Sequence, residues 1–187
     1  MIRIIGIDPS TSNWGMCRAL VDLDNLNIEI EDLILIKTES EVKQGVRKDS
    51  DDIRRAKEVR KGMIDACMGG VALAISEIPF MNPGSYASAN FNSGLVTGVL
   101  ASCPVPLIQV FPKQVKMATV GLKNASKEEM IEWATVKFPN APWLTRKLKG
   151  KVVHIAANEH LADAVATLYT GLRSEQFSQA TALFCSQ

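Results

Sequence analysis

The sequence predicts an α/β fold in which a mixed five-stranded sheet, its first three strands antiparallel, carries helices on both faces. Three observations lead there. Three β-favouring runs follow one another at the start of the chain. The period of the apolar residues then changes to three-to-four over residues 50–68. After that an almost continuous apolar run, Val71–Glu77, has the character of a strand buried on both faces.

Arg3–Asp8, Gly15–Val21 and Ile28–Thr38 are the three opening strands, separated by polar and turn-forming residues. Ser50–Met68 places Ile53, Ala56, Val59, Met63 and Ala66 on one face. Ser50 or Asp51 is available as its cap, and Gly69-Gly70 closes it. The turn Asn82-Pro83-Gly84 leads into Tyr86–Ser102, whose small side chains suit a helix packed closely on a sheet. Pro106–Val110 is the fifth strand. Ser126-x-x-Glu129 is a capping box opening a helix to Phe138, and Ala157–Leu172 is a further helix. The resulting order, β-β-β-α-β-α-β-α-α, is shared by ribonuclease H-like proteins and by one lobe of the actin-like ATPases, and pattern alone does not separate them.

A length of 187 residues, 47% hydrophobic and 22% charged, fits one domain spanning 1–187 with a single core. No repeat, low-complexity block or Gly/Ser linker interrupts it. The opening residues reach Asp8 before any long apolar stretch, which predicts neither export nor membrane insertion but a cytoplasmic protein. Cys17, Cys67, Cys103 and Cys185 form no CxxC pair, so they are read as reduced structural thiols, and with His154 and His160 they complete no zinc pattern. The net charge of +1 conceals a division. Residues 22–52 hold ten acids against four bases, and residues 113–151 hold nine bases against three acids. The second segment is either an uneven solvated surface or a phosphate-binding face.

Asp8 and Glu77 each end an apolar strand, in IIGIDPSTSNWG and AISEIPF. If the two strands are parallel neighbours, both carboxylates reach the same sheet edge, within reach of one ion. In NEHLADAVATLY, Glu159, His160 and Asp163 share adjacent helix faces, and Asp163 lies among small apolar residues where a lone charge is costly. Oxygen and nitrogen ligands without thiolate suit Mg²⁺ or Mn²⁺, a pair of which can drive phosphodiester hydrolysis without a protein nucleophile.

In chain order these blocks resemble the RuvC Holliday-junction resolvases, a ribonuclease H-like family. IIGIDPSTSNWG and AISEIPF are similar to its two acid-bearing strands and EHLADAVA to its last acid-bearing helix. FPKQVKMATVGLKNASKEEM is similar to its segment with two lysines eleven apart, here Lys116 and Lys127. The resemblance implies a homodimer that nicks opposite arms of a four-way junction symmetrically. Asp8, Glu77, His160 and Asp163 would hold two Mg²⁺ ions per site, with Mn²⁺ able to substitute. Lys127 would act at the scissile phosphate and Lys116 on the nearby backbone. Lys113 and Lys123 would extend the DNA contact, and Phe80 would stack on bases at the opened junction. Branched DNA is the partner implied, without membrane or nucleotide cofactor. Ser10 stands where the family usually has glycine and His160 where many members have aspartate. Small divergent members are often encoded by bacteriophages.

Other readings make different demands. A ribonuclease H-like nuclease acting on ribosomal RNA precursors also starts with a Gly-Ile-Asp-Pro strand but has no claim on Lys116 and Lys127. An actin-like ATPase needs two lobes. A non-catalytic junction-binding module predicts that Asp163 forms no site with Asp8 and Glu77.

Overall fold

The computed structural model describes residues 1–79 and 87–184. Strands β1 (Ile2–Asp8), β2 (Asn13–Val21) and β3 (Ile28–Lys37) form an antiparallel meander, with Asp8 opposite Gly15 and Asn13 opposite Lys37. Helix α1 (Lys48–Cys67) crosses over and returns the chain as β4 (Val71–Glu77), parallel to β1. Helix α2 (Ala87–Ala101) leads to β5 (Leu107–Val110), parallel to β4, giving the sheet order β3-β2-β1-β4-β5. Then follow α3 (Pro112–Thr119), α4 (Lys127–Lys137), a two-stranded ribbon of β6 (Thr145–Leu148) and β7 (Lys151–His154), α5 (Asn158–Gly171) and α6 (Glu175–Phe184).

The strand period of two divides the core between the sheet's faces. Ile5, Ile7, Trp14, Met16 and Ala74 pack with Val59 and Met63 of α1 and with Val96 and Val99 of α2. Ile4, Cys17, Ala19, Leu73, Ile75 and Ile108 point the other way, onto Leu161, Val165 and Leu168 of α5 and onto α3, α4 and α6. The predicted five-stranded mixed sheet with helices on both faces is the observed one.

Two local expectations are corrected. Neither Ser50 nor Asp51 caps α1, which starts earlier from Arg47 without a side-chain cap. Asp51 instead turns inward and pairs with Arg54 at 2.6 Å. The glycines of α2 do not press it onto the sheet, because a Cβ added at Gly94 or Gly98 would meet nothing within 4 Å. Cys17, Cys67 and Cys103 are free thiols, as the sequence indicated, and a hydrogen bond between Cys67 and Cys103 holds the Cys103 thiol down at about 7. The elements absent from the expected order are α3, the β6–β7 ribbon and α6.

The acidic stretch 22–52 receives a structural account. Arg3 grips Glu31 through two hydrogen bonds of 2.6 and 2.7 Å, and Arg18 pairs with Asp32 at 3.2 Å. Arg54 gathers Asp51, Glu41 and Glu58, and Lys48 pairs with Asp52. Glu31 and Asp32 tie the third strand to the first two, while the pairs of Arg54 and Lys48 stay within the first turns of α1 and the segment before it.

Candidate active site

Parity along the strands sets the side on which the acids emerge. On β1, Ile4 and Gly6 face α5, so Asp8 does too; on β4, Leu73 and Ile75 face α5, and Glu77 follows. Because Ile7 pairs with Ser76 in a parallel ladder, the next residues of the two strands, Asp8 and Glu77, share the carboxyl edge of the sheet. Helix α5 closes over that edge because two side chains are missing beneath it. A Cβ on Gly15 would overlap the His160 carbonyl, and one on Gly6 would overlap the Ala164 carbonyl. The helix backbone therefore lies directly on β1 and β2 and brings Glu159, His160 and Asp163 down to Asp8.

His160 Nδ1 lies 2.9 Å from Asp8 Oδ2, with the two side chains 24% and 17% exposed. Asp8 holds the imidazole pKa above its ordinary value. Burial raises the Asp8 carboxyl, and the His160 contact only partly offsets this. Glu77 is pushed up to about 8, first by burial and then by the charges of Asp8 and Asp163, with Lys116 pulling the other way. Asp163 is pushed up to about 7 by burial, Asp8 and Glu159. Three carboxyls thus repel one another in a partly desolvated corner with too little positive charge to balance them. Asp163 feels the charge of Asp8, and Glu77 feels the charges of both.

The donor set suits a hard divalent cation: carboxylate oxygens, one imidazole, no thiolate, and an excess of negative charge. Among the described residues, no three His, Cys, Asp or Glu side chains stand in an arrangement that could hold a metal ion as they are placed here. The oxygens are gathered but not clenched, and Asp8 spends one of them on His160. His160 Nδ1 is thereby turned toward Asp8.

Around the acids, Lys127 Nζ pairs with Glu159 at 2.6 Å while remaining 71% exposed. Lys116 Nζ donates to the Ala125 carbonyl at 2.8 Å and acts electrostatically on Glu77 and Asp163. Lys113 and Lys123 are exposed at the start of α3 and in the loop before α4. Phe80 lies outside the described residues. Thr167, one helical turn beyond Asp163, is a site residue that the sequence did not single out. Its Oγ1 is buried without a well-formed hydrogen bond, yet it faces Glu77 closely enough to favour the ionised carboxylate. Its spacing of four from Asp163 was the available signal. Arg55 of α1 braces the loop after Asp8, donating to Ser12 Oγ at 2.7 Å and to Thr38 Oγ1 at 2.8 Å.

The fold is ribonuclease H-like, with Asp8 and Glu77 at the carboxyl edge of its sheet. No family model matches the chain. It is 28% identical over 170 residues to the crossover junction endodeoxyribonuclease RuvC of a strain of Prochlorococcus marinus, covering 90% of this chain and 97% of that protein. It is also 28% identical over 131 residues to RuvC of a Synechococcus species, covering 70% and 80%. In fold it is similar to Thermus thermophilus RuvC solved in complex with a Holliday junction substrate, with a TM-score of 0.63, 21% identity and coverage of 91% and 92%. It is similar too to the yeast mitochondrial Holliday junction resolvase, with a TM-score of 0.56, 13% identity and coverage of 100% and 86%. The RuvC-type Holliday junction resolvases are the family that this chain resembles, in sequence and in fold.

Proposed function

We propose that the chain is a structure-selective DNA endonuclease that resolves four-way and other branched DNA by metal-dependent phosphodiester hydrolysis. The observation that carries this reading is the cluster of Asp8, Glu77 and Asp163, whose mutual repulsion a divalent cation would relieve. The likeness to RuvC proteins supplies the substrate. Asp8, Glu77 and Asp163 are the groups to hold Mg²⁺ or Mn²⁺, two ions per site, with His160 orienting Asp8 or joining the ligands. When bound, such ions activate water and neutralise charge at the leaving oxygen. The protein's part is to fix Asp8 and Glu77 on a rigid strand edge and Asp163 on the helix laid over it. Lys127 is held at the rim by Glu159 to meet the scissile phosphate, and Lys116 tempers the charge beneath it. Lys113, Lys123 and Phe80 are assigned to the DNA contact.

Symmetric nicking requires two copies. The outer groove between α1 and α2, lined by Ile53, Ala56, Gly94, Leu95, Gly98 and Val99 with a volume of about 310 Å³, suits a second copy of the same face. Ile53 is 51% exposed there. Gly98→Glu places a charge at the open position and is expected to give a folded monomer by analytical ultracentrifugation, replacing paired nicks by uncoupled single ones. A G98E protein that remains dimeric would move the interface elsewhere.

The central test compares a four-way junction with a matched linear duplex, each with Mg²⁺, for the parent protein and Asp8→Asn. Paired symmetric nicks confined to the junction, abolished in D8N while binding persists, are expected. No junction cleavage with Mg²⁺ or Mn²⁺ overturns the assignment and turns attention to RNA substrates.

A further inference from the structure

The β6–β7 ribbon belongs neither to the sheet nor to the acidic centre. All four β6 residues, Thr145, Arg146, Lys147 and Leu148, are exposed, as are Lys149 and Val152, the last 66% exposed. Among the described residues, no helix makes more than slight contact with the ribbon, so burial does not explain it, and a bare two-stranded hairpin is marginal in water. Two features hold it in shape. Lys149 and Gly150 both take positive φ, 48° and 78°, the tight turn whose twist matches paired strands. At its root, the fully buried Asn158 accepts from Leu144 N at 3.0 Å and donates to Leu144 O at 2.8 Å, and Ile155 N donates to the same carbonyl. Trp143, just before, is buried with its indole N–H on the Phe138 carbonyl. Asn158 opens α5, two residues before His160, so the ribbon is fastened to the helix that carries the site.

Arg146, Lys147 and Lys149 make no ion pair among the described residues, unlike the cations around α1. No acid occurs between Glu132 and Glu159. An ordered, two-sided, cationic ribbon with uncommitted charges is a shape that the major groove and its flanking phosphates admit.

We propose that the β6–β7 ribbon grips a duplex arm beside the branch point, through the phosphates reached by Arg146, Lys147 and Lys149, and so sets the angle at which that arm leaves the acidic centre. This rests on the branched-DNA reading above. The ribbon acts outside the site, on DNA that is not cut.

The test is binding of the parent and of R146Q/K147Q/K149Q to a four-way junction in EDTA, across a salt series, with full-length and shortened arms. The substituted positions are exposed, and thermal melting checks that the fold is retained. With full arms, the triple variant is expected to bind roughly tenfold or more weakly, with a log–log salt slope shallower by about two to three, since each phosphate contact contributes about 0.9. With arms too short to reach the ribbon, parent and variant should bind alike. Unchanged affinity and slope with full arms overturn the proposal, and so does a deficit that persists with shortened arms. A parent protein that binds no junction overturns the branched-DNA reading itself and the ribbon's role with it.

Discussion

At the scale of single residues, the acidic centre couples ionisation to stability. Glu77 and Asp163 titrate at about 8 and about 7 in the folded protein, against the ordinary carboxyl range when unfolded. Between about pH 5 and 8 the native state therefore binds more protons than the unfolded chain, and stability falls as pH rises. His160, raised by Asp8, acts in the same direction, since its contribution is lost as the imidazole deprotonates. The melting temperature in EDTA is expected to decline from pH 5 to 8, and Mg²⁺ to raise it more at pH 8 than at pH 5. Glu77→Gln should flatten the decline by an amount on the order of 1 kcal/mol or more, a tenfold change in proton affinity being worth about 1.4 kcal/mol. A parent profile that is flat, or rises with pH, would show that the carboxyls do not strain against one another. Asp8, Glu77 and Asp163 were legible in the sequence because each is an acid set in an apolar context. Thr167 was not, since a threonine in a helix carries no such contradiction.

At the scale of elements, the decisive contact is α5 against β1 and β2. Gly15→Ala puts a methyl group into the His160 carbonyl, which overpacking places at about 1–3 kcal/mol of destabilisation. Because the helix must lift to make room, junction cleavage should fall by more than the loss of folded protein explains, while Gly94→Ala, in open space, leaves both nearly unchanged. Equal behaviour of G15A and G94A, by urea denaturation and cleavage rate, would dismiss the close approach as the device that assembles the site. The five sheet strands, α1, α4 and α5 followed from apolar period and, at α4, from a capping box that the structure reproduces, Ser126 Oγ accepting from Glu129 N at 3.2 Å. The ribbon did not, for a physical reason. Its strands bury no alternating face, and its turn is Lys-Gly rather than the Asn-Gly or Asp-Gly that ordinarily marks a hairpin.

At the scale of the whole molecule, the division of charge seen along the chain becomes two distinct kinds of surface. Half of the ten acids of residues 22–52, namely Glu31, Asp32, Glu41, Asp51 and Asp52, are paired with arginines and lysines of the opening strands and α1. Several bases between residues 113 and 151 lie exposed beside the acidic centre or on the ribbon. A near-neutral total therefore gives a poor measure of what the protein attracts. Sequence alone could count these charges but not say which were already spent, because pairing such as Arg3 with Glu31 depends on which strands are neighbours.

The bond between Asp8 and His160 spans 152 positions, and Glu77 lies between them in the chain. During synthesis the two acid-bearing strands emerge first and must wait for α5. No stretch of nascent chain that lacks residues 158–171 contains the whole centre, however well its sheet has formed. The proposed nuclease is thereby kept unarmed on the ribosome, and the same geometry means that a protease cut removing this helix disarms it in one step.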